Sequence, residues 1–264
     1  MTRRTAVGAA CALAAALCLT SSPLGAADQP ALTVFAAASL REAFEAAAPA
    51  FTKQTGIKVT YAFGGSDMLV TQLKQGAPAD VFASANEAQM KAASDAGLLA
   101  EPAHTFAHNH LVLIVPKENP AKIVTLADLA TPGVKVVLAA ASVPVGAYAR
   151  KAFRKLSGAP GYPADFGAVV ERNVVSDEID VKAVATKIAL GEGDAGVVYA
   201  TDVTPNVTAK VRTIPFPSGA APEAIYPIAP LKAAANAAGA RAFVAFVLSP
   251  AGQAYLRARS FAAP

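Results

Sequence analysis

Reactive side chains are scarce in this chain of 264 residues, which has two cysteines, three histidines, three methionines and no tryptophan. Both cysteines, Cys11 and Cys18, fall within the first 27 residues, so the remainder can form neither a disulfide nor a thiol centre. With no tryptophan and only 7% aromatics, the chain is poorly provided for stacking on bases or sugars. Charge is sparse too: 16% of residues, a net +4, and no basic run interleaved with aromatics, which argues against a nucleic-acid surface. Past residue 27, no continuous apolar stretch is long enough to span a bilayer.

The features that are present begin at the N-terminus. Arg3 and Arg4 precede an apolar segment, residues 6–20, that is too short to cross a membrane, and Gly25, Ala26 and Ala27 offer small residues to signal peptidase. Residues 1–27 therefore read as a cleaved export signal and the mature chain as periplasmic. Leu17 before Cys18 argues against a lipoprotein, and the context TRRTAV is a poor match to a twin-arginine signal. Cleavage lowers the net charge from +4 to +2, because two arginines leave and no acid does. An exported chain without disulfides depends on its core alone. The remaining length is sufficient for one large or two medium α/β domains.

Strand-like and helix-like patterns then alternate. Residues 32–37 read as a buried strand, 40–55 as a helix stopped by Gly56, and 57–63 as an alternating strand. Residues 67–75 and 87–96 read as helices stopped by Gly76 and Gly97, with a strand at 80–84 between them. Further strands are predicted at 111–115, 135–140 and 195–199, and helices at 126–129, 145–156 and 181–190. The tail, 233–257, is helical with an interruption at Pro250. Repeated βα units predict an α/β fold of mixed, mainly parallel sheets with helices on both faces. The segment SGAPGYPADF at 157–166 reads as a surface loop rather than a ligand lid.

Against that background two hydroxyls stand out. Ser39 in VFAAASLREAF and Ser66 in YAFGGSDMLVTQL each stand where a strand ends and a helix begins. The first N–H groups of a helix lack intrahelical partners and carry the positive end of its dipole, so an anion can sit there without lysine or arginine. In parallel sheets ligands bind beyond the carboxyl ends of the strands, which is where these serines are expected.

In order and spacing, TVFAAASL at 33–40, FGGS at 63–66, GAPADVFASAN at 76–86, VPVGAYAR at 143–150 and GDAGVVYATDV at 193–203 resemble the periplasmic molybdate-binding proteins that serve ABC importers. The resemblance runs from residue 32 to about residue 250. It implies a two-domain periplasmic binding protein of type II with a ligand cleft between the domains. One domain would comprise residues 31–109 and 218–264, and the other 110–217, with hinge strands near 111–116 and 211–217. It further implies that an oxyanion is held by the hydroxyls of Ser39, Ser66 and Tyr199 and by the backbone amides of Val145 and Val181. Any metal would be the one inside the oxyanion, touched only through its oxygens. The expected ligand is molybdate, with tungstate, and the expected partner is a membrane permease. No cofactor, no catalytic step and a monomer follow.

Two residues depart from that family's pattern. Asp67 replaces the usual serine or threonine and is expected to point outward, stabilising a helix N-terminus. Val145 replaces a smaller residue, which is tolerable if only its amide meets the ligand. Sulfate would satisfy the same donors, and a binding protein for another tetrahedral oxyanion is the alternative reading. A secreted hydrolase using Ser66 fails the nucleophile-elbow pattern, which requires glycine where Met68 stands. His104, His108 and His110 lack a carboxylate or cysteine at metal-ligand spacing and read as surface or interdomain residues. The sequon Asn206-Val207-Thr208 reads as a chance match.

Overall fold

In the computed structural model, which describes residues 31–264 and Thr2, the apolar run at the start forms β1 (Leu32–Ala37), buried along almost its whole length. The predicted signal, residues 1–27, lies outside the described residues apart from Thr2. A 3-10 turn (Ala38–Leu40) leads into α1 (Arg41–Thr55). Gly56 ends that helix in the left-handed conformation, φ 77°, with its N–H on Thr52 O. The chain continues through β2 (Val59–Gly64), α2 (Ser66–Lys74), β3 (Val81–Ala83), α3 (Glu87–Asp95) and β4 (His104–Asn109).

A second series follows at once: β5 (Leu111–Pro116), β6 (Val136–Ala139), α4 (Pro144–Leu156), α5 (Phe166–Arg172), β7 (Val174–Glu178), α6 (Val181–Ala189), β8 (Ala195–Tyr199), α7 (Pro205–Thr208) and β9 (Val211–Pro215). The tail returns as β10 (Ala224–Pro230), α8 (Ala237–Leu248) and α9 (Pro250–Arg257).

These strands form two five-stranded sheets on one plan. The first runs β2-β1-β3-β10-β4 and the second β7-β6-β8-β5-β9. In each, three strands are parallel and two further strands join antiparallel, as two-lobed mixed α/β proteins require. β5 and β9 pair with each other inside the second sheet, so the chain passes between sheets at His110 and again at 216–223. β10 is central despite Pro227 and Pro230. The ladder with β4 shifts register between Tyr226 and Pro227, which accommodates a residue without an N–H.

Aromatic packing fixes the helices on the sheets. Phe44 and Phe51 of α1 meet Phe243 of α8 edge-on at 5.6 and 5.3 Å, and Phe153 of α4 meets Phe166 of α5 at 5.9 Å. The 157–165 connection between α4 and α5 makes two turns with positive φ at Gly158 and Gly161. The parallel strands of both sheets point their carboxyl ends toward the junction between the lobes, and there the site is built.

Candidate functional site

Four chain segments, two from each lobe, end around one small cavity. It is lined by residues 37–39 after β1, 64–66 after β2, 143–145 at the start of α4 and 180–181 at the start of α6, with Ala85 and Tyr199. It is far smaller than the groove beside Asn109 and Phe216. Pockets for organic ligands are usually of the larger kind, so this one suits a compact ion.

Local sequence explains why the helix starts remain open to the cavity. Ala37, Gly65 and Val143 occupy the N-cap positions of the 3-10 turn, α2 and α4, and none supplies a side-chain cap. In α4, Pro144 has no N–H, and backbone bonding begins with Ala147 N–H on Val143 O, so the amides of Val145 and Gly146 lie ahead of the ladder. α6 is capped, since Asp180 accepts from Ala183 N–H at 2.9 Å, and its backbone bonding begins with Val184 N–H on Asp180 O, so the amide of Val181, which lines the cavity, lies ahead of the ladder. By contrast, Asn86, Asn236 and Ser249, none of which lines the cavity, cap α3, α8 and α9, although the short α5 and α7 are uncapped as well. Uncapped helix starts converging from several directions form a positive concavity without a cationic side chain.

Three hydroxyls complete the lining. Ser66 Oγ accepts the Ala85 N–H at 3.1 Å, so its own hydrogen is free to turn inward. Ser39 Oγ is 2.9 Å from Tyr226 Oη. Tyr199, 1% exposed, has a buried hydroxyl that makes no well-formed hydrogen bond. Burial first, then the neighbouring Tyr226, Tyr148 and Asp202, push its pKa well above the ordinary tyrosine value, so it remains a proton donor.

No lysine, arginine or histidine lines the cavity. The nearest cation in sequence, Lys182, is engaged by Glu42 of the first lobe at 2.7 Å and by Asp202 at 3.0 Å. All five residues singled out in the sequence, Ser39, Ser66, Val145, Val181 and Tyr199, line this one space.

Asp67 does not line it, but neither does it point outward as expected. Its Oδ1 is buried without a partner, packed against Gly65 where that glycine meets Ile179 O of the other lobe. The 157–165 loop is remote from the cavity lining. His104 and His108 lie on β4, and His108 Nδ1 is 2.9 Å from Glu223. Among the described residues no group of three histidine, cysteine or acidic side chains could hold a metal ion. Sequence reading missed Asp180, whose only signal was its place before an apolar helical pattern, and Tyr226 and Asn109, which reach the site from distant strands.

Two five-stranded α/β lobes with a small cavity between the carboxyl ends of their sheets have the architecture of a two-lobed binding protein. The chain belongs to the bacterial extracellular solute-binding proteins, whose family pattern matches residues 32–262. It is 42% identical over 246 residues to the molybdate-binding protein ModA of Mycobacterium tuberculosis (strain ATCC 25618 / H37Rv), covering 92% of this chain and 89% of that one. To the Escherichia coli (strain K12) molybdate-binding protein ModA it is 32% identical over 231 residues, covering 85% and 86%. Among solved structures, the Azotobacter vinelandii periplasmic molybdate-binding protein matches with a TM-score of 0.74 at 22% identity, over 88% of this chain and 99% of that one. The sulfate-binding protein SubI of Mycobacterium tuberculosis H37Rv matches with 0.78 at 19%, over 88% and 86%, and both likenesses concern the fold.

Proposed function

We propose that this chain captures molybdate, and with it tungstate, outside the cytoplasmic membrane and delivers the oxyanion to the permease of an ABC importer. The observation that carries this reading is the buried Tyr199 hydroxyl, without a well-formed hydrogen bond, set among Ser39, Ser66 and the amides of Val145 and Val181 in a cavity without a cationic side chain. Buried polar groups are nearly always well hydrogen-bonded, so a buried donor without a well-formed bond at such a cavity marks the place of an acceptor. A dianion loses much hydration on entry, and charge-assisted hydrogen bonds, roughly 1.5–3 kcal/mol each, offset that loss when several converge.

Molybdate rather than another oxyanion is supported by the relatives that bear its name at 42% and 32% identity. One chain carries every proposed contact, in keeping with a monomer whose lobes, residues 31–109 with 218–264 and residues 110–217, close on the anion about the connections near 110 and 216–223. Calorimetric titration of the mature protein with molybdate, tungstate and sulfate tests it. Molybdate and tungstate are expected to bind tightly and sulfate weakly; sulfate binding as tight as molybdate would overturn the choice of ligand.

A further inference from the structure

Beyond the cavity lining, a chain of hydrogen bonds reaches Ser39 from the junction of the lobes. Asn109 is the last residue of β4 and is 2% exposed. Its Oδ1 accepts the His110 N–H at 2.9 Å, which fixes the amide so that Nδ2 faces the other way. Nδ2 donates to Thr201 Oγ1 of the second lobe at 2.8 Å and to Tyr226 Oη at 3.4 Å. An amide nitrogen can only donate, so Tyr226 accepts from it and keeps its own hydrogen available for Ser39 Oγ, 2.9 Å away, in a bond that either hydroxyl could donate. When Tyr226 is the donor, Ser39 accepts and has its single hydrogen free for the cavity.

We propose that Tyr226, oriented by Asn109, is a specificity-determining residue that fixes Ser39 as an obligate donor to the bound anion. Ser66 is set in the same sense by the Ala85 N–H. With both serines so fixed and Tyr199 protonated, the three hydroxyls of the lining act as donors only, and the one carboxylate there, Asp180, has its Oδ1 turned to the Ala183 N–H. A fully deprotonated oxyanion satisfies such a lining. An oxyanion that carries a proton, such as phosphate at neutral pH, needs one acceptor and finds none among these hydroxyls. Burial, more than any other influence, keeps the Tyr226 phenol itself protonated, as the relay requires. The inference rests on the oxyanion reading and adds the residues that enforce its protonation state.

Removing the Tyr226 hydroxyl frees Ser39 to rotate and accept. Calorimetry of wild type, Tyr226→Phe and Asn109→Ala with molybdate and with inorganic phosphate at neutral pH tests this, with circular dichroism confirming that each variant is folded. Both variants are expected to bind molybdate about tenfold more weakly, the loss of one charge-assisted donor. Phosphate binding is expected to strengthen, so that the ratio of the two affinities falls by more than tenfold. A parallel loss for both anions, an unchanged molybdate affinity, or continued exclusion of phosphate would each overturn the relay. Wild-type protein that is folded and binds no molybdate would instead overturn the oxyanion reading.

Discussion

Tyr199 illustrates how a single side chain can be costly to the fold and needed by the ligand. Its ring packs edge-on against Tyr226 at 5.8 Å, but its hydroxyl is buried without a well-formed hydrogen bond. Leaving a buried polar group unmade costs about 1–3 kcal/mol. Tyr199→Phe should therefore leave the ligand-free protein as stable as wild type or more so, by up to about 1–3 kcal/mol, while weakening molybdate at least tenfold. Urea unfolding without ligand and calorimetry with it separate the two effects, and a destabilised variant with unchanged affinity would remove Tyr199 from the site. At this scale the sequence was legible where function sits at a motif's own turn. Ser39 and Ser66 could be read because strand, small residue, serine and helix follow one another within a few positions. Tyr226 could not, since it meets Ser39 across 187 residues and sits in a strand whose two prolines obscure its pattern.

Elements matter here mainly by where they begin. The start of α4 is held against β6 so tightly that a Cβ on Gly146 would lie 2.2 Å from both Ala139 O and Ala140 O. Backbone oxygens cannot yield as a side-chain tip can, so Gly146→Ala must displace the first turn of the helix and with it the Val145 amide. We expect a loss of roughly 1–3 kcal/mol in stability, the usual scale of overpacking, together with weaker molybdate binding. Denaturant titration and calorimetry check both, and a variant as stable and as tight-binding as wild type would show that the helix start tolerates movement. The same element explains what periodicity conveyed. α1, α4 and α6 carry clear apolar faces and were predicted within a residue or two. β7 was missed because VVSDE lies at the sheet edge, half-exposed, with two acids. The short helix α5 was hidden by the glycine- and proline-rich residues before it.

Across the whole molecule the lobes meet through specific contacts around the cavity. Gln89 Nε2 reaches Ser142 O at 3.2 Å, Asn109 reaches Thr201, and Lys182 of α6 holds Glu42 of α1 at the opening turn of each helix. Only the last depends on pH in an informative way, through Asp202, the other partner of Lys182. Burial pushes the Asp202 carboxyl from 3.8 up to about 6, and Lys182 opposes that rise without cancelling it. A carboxyl whose folded pKa is raised binds protons more tightly in the folded state. Its stabilising contribution is therefore complete below about pH 3.8 and is lost as pH rises through about 6. Lys182 is raised in its turn by Asp202 and Glu42 against its own desolvation, so its contribution persists across this range and fades only above its ordinary value of 10.5. Asp202→Asn removes the titrating group while leaving Lys182 its partner in Glu42 across the lobes. The stability of wild type relative to the variant should therefore fall as pH is raised from about 4 to 7, most steeply near 6, when urea midpoints are compared at matched ionic strength. A difference that stays flat over that range would show that Asp202 titrates alike in folded and unfolded chains, and that the Glu42–Lys182–Asp202 cluster joins the lobes with no dependence on protonation.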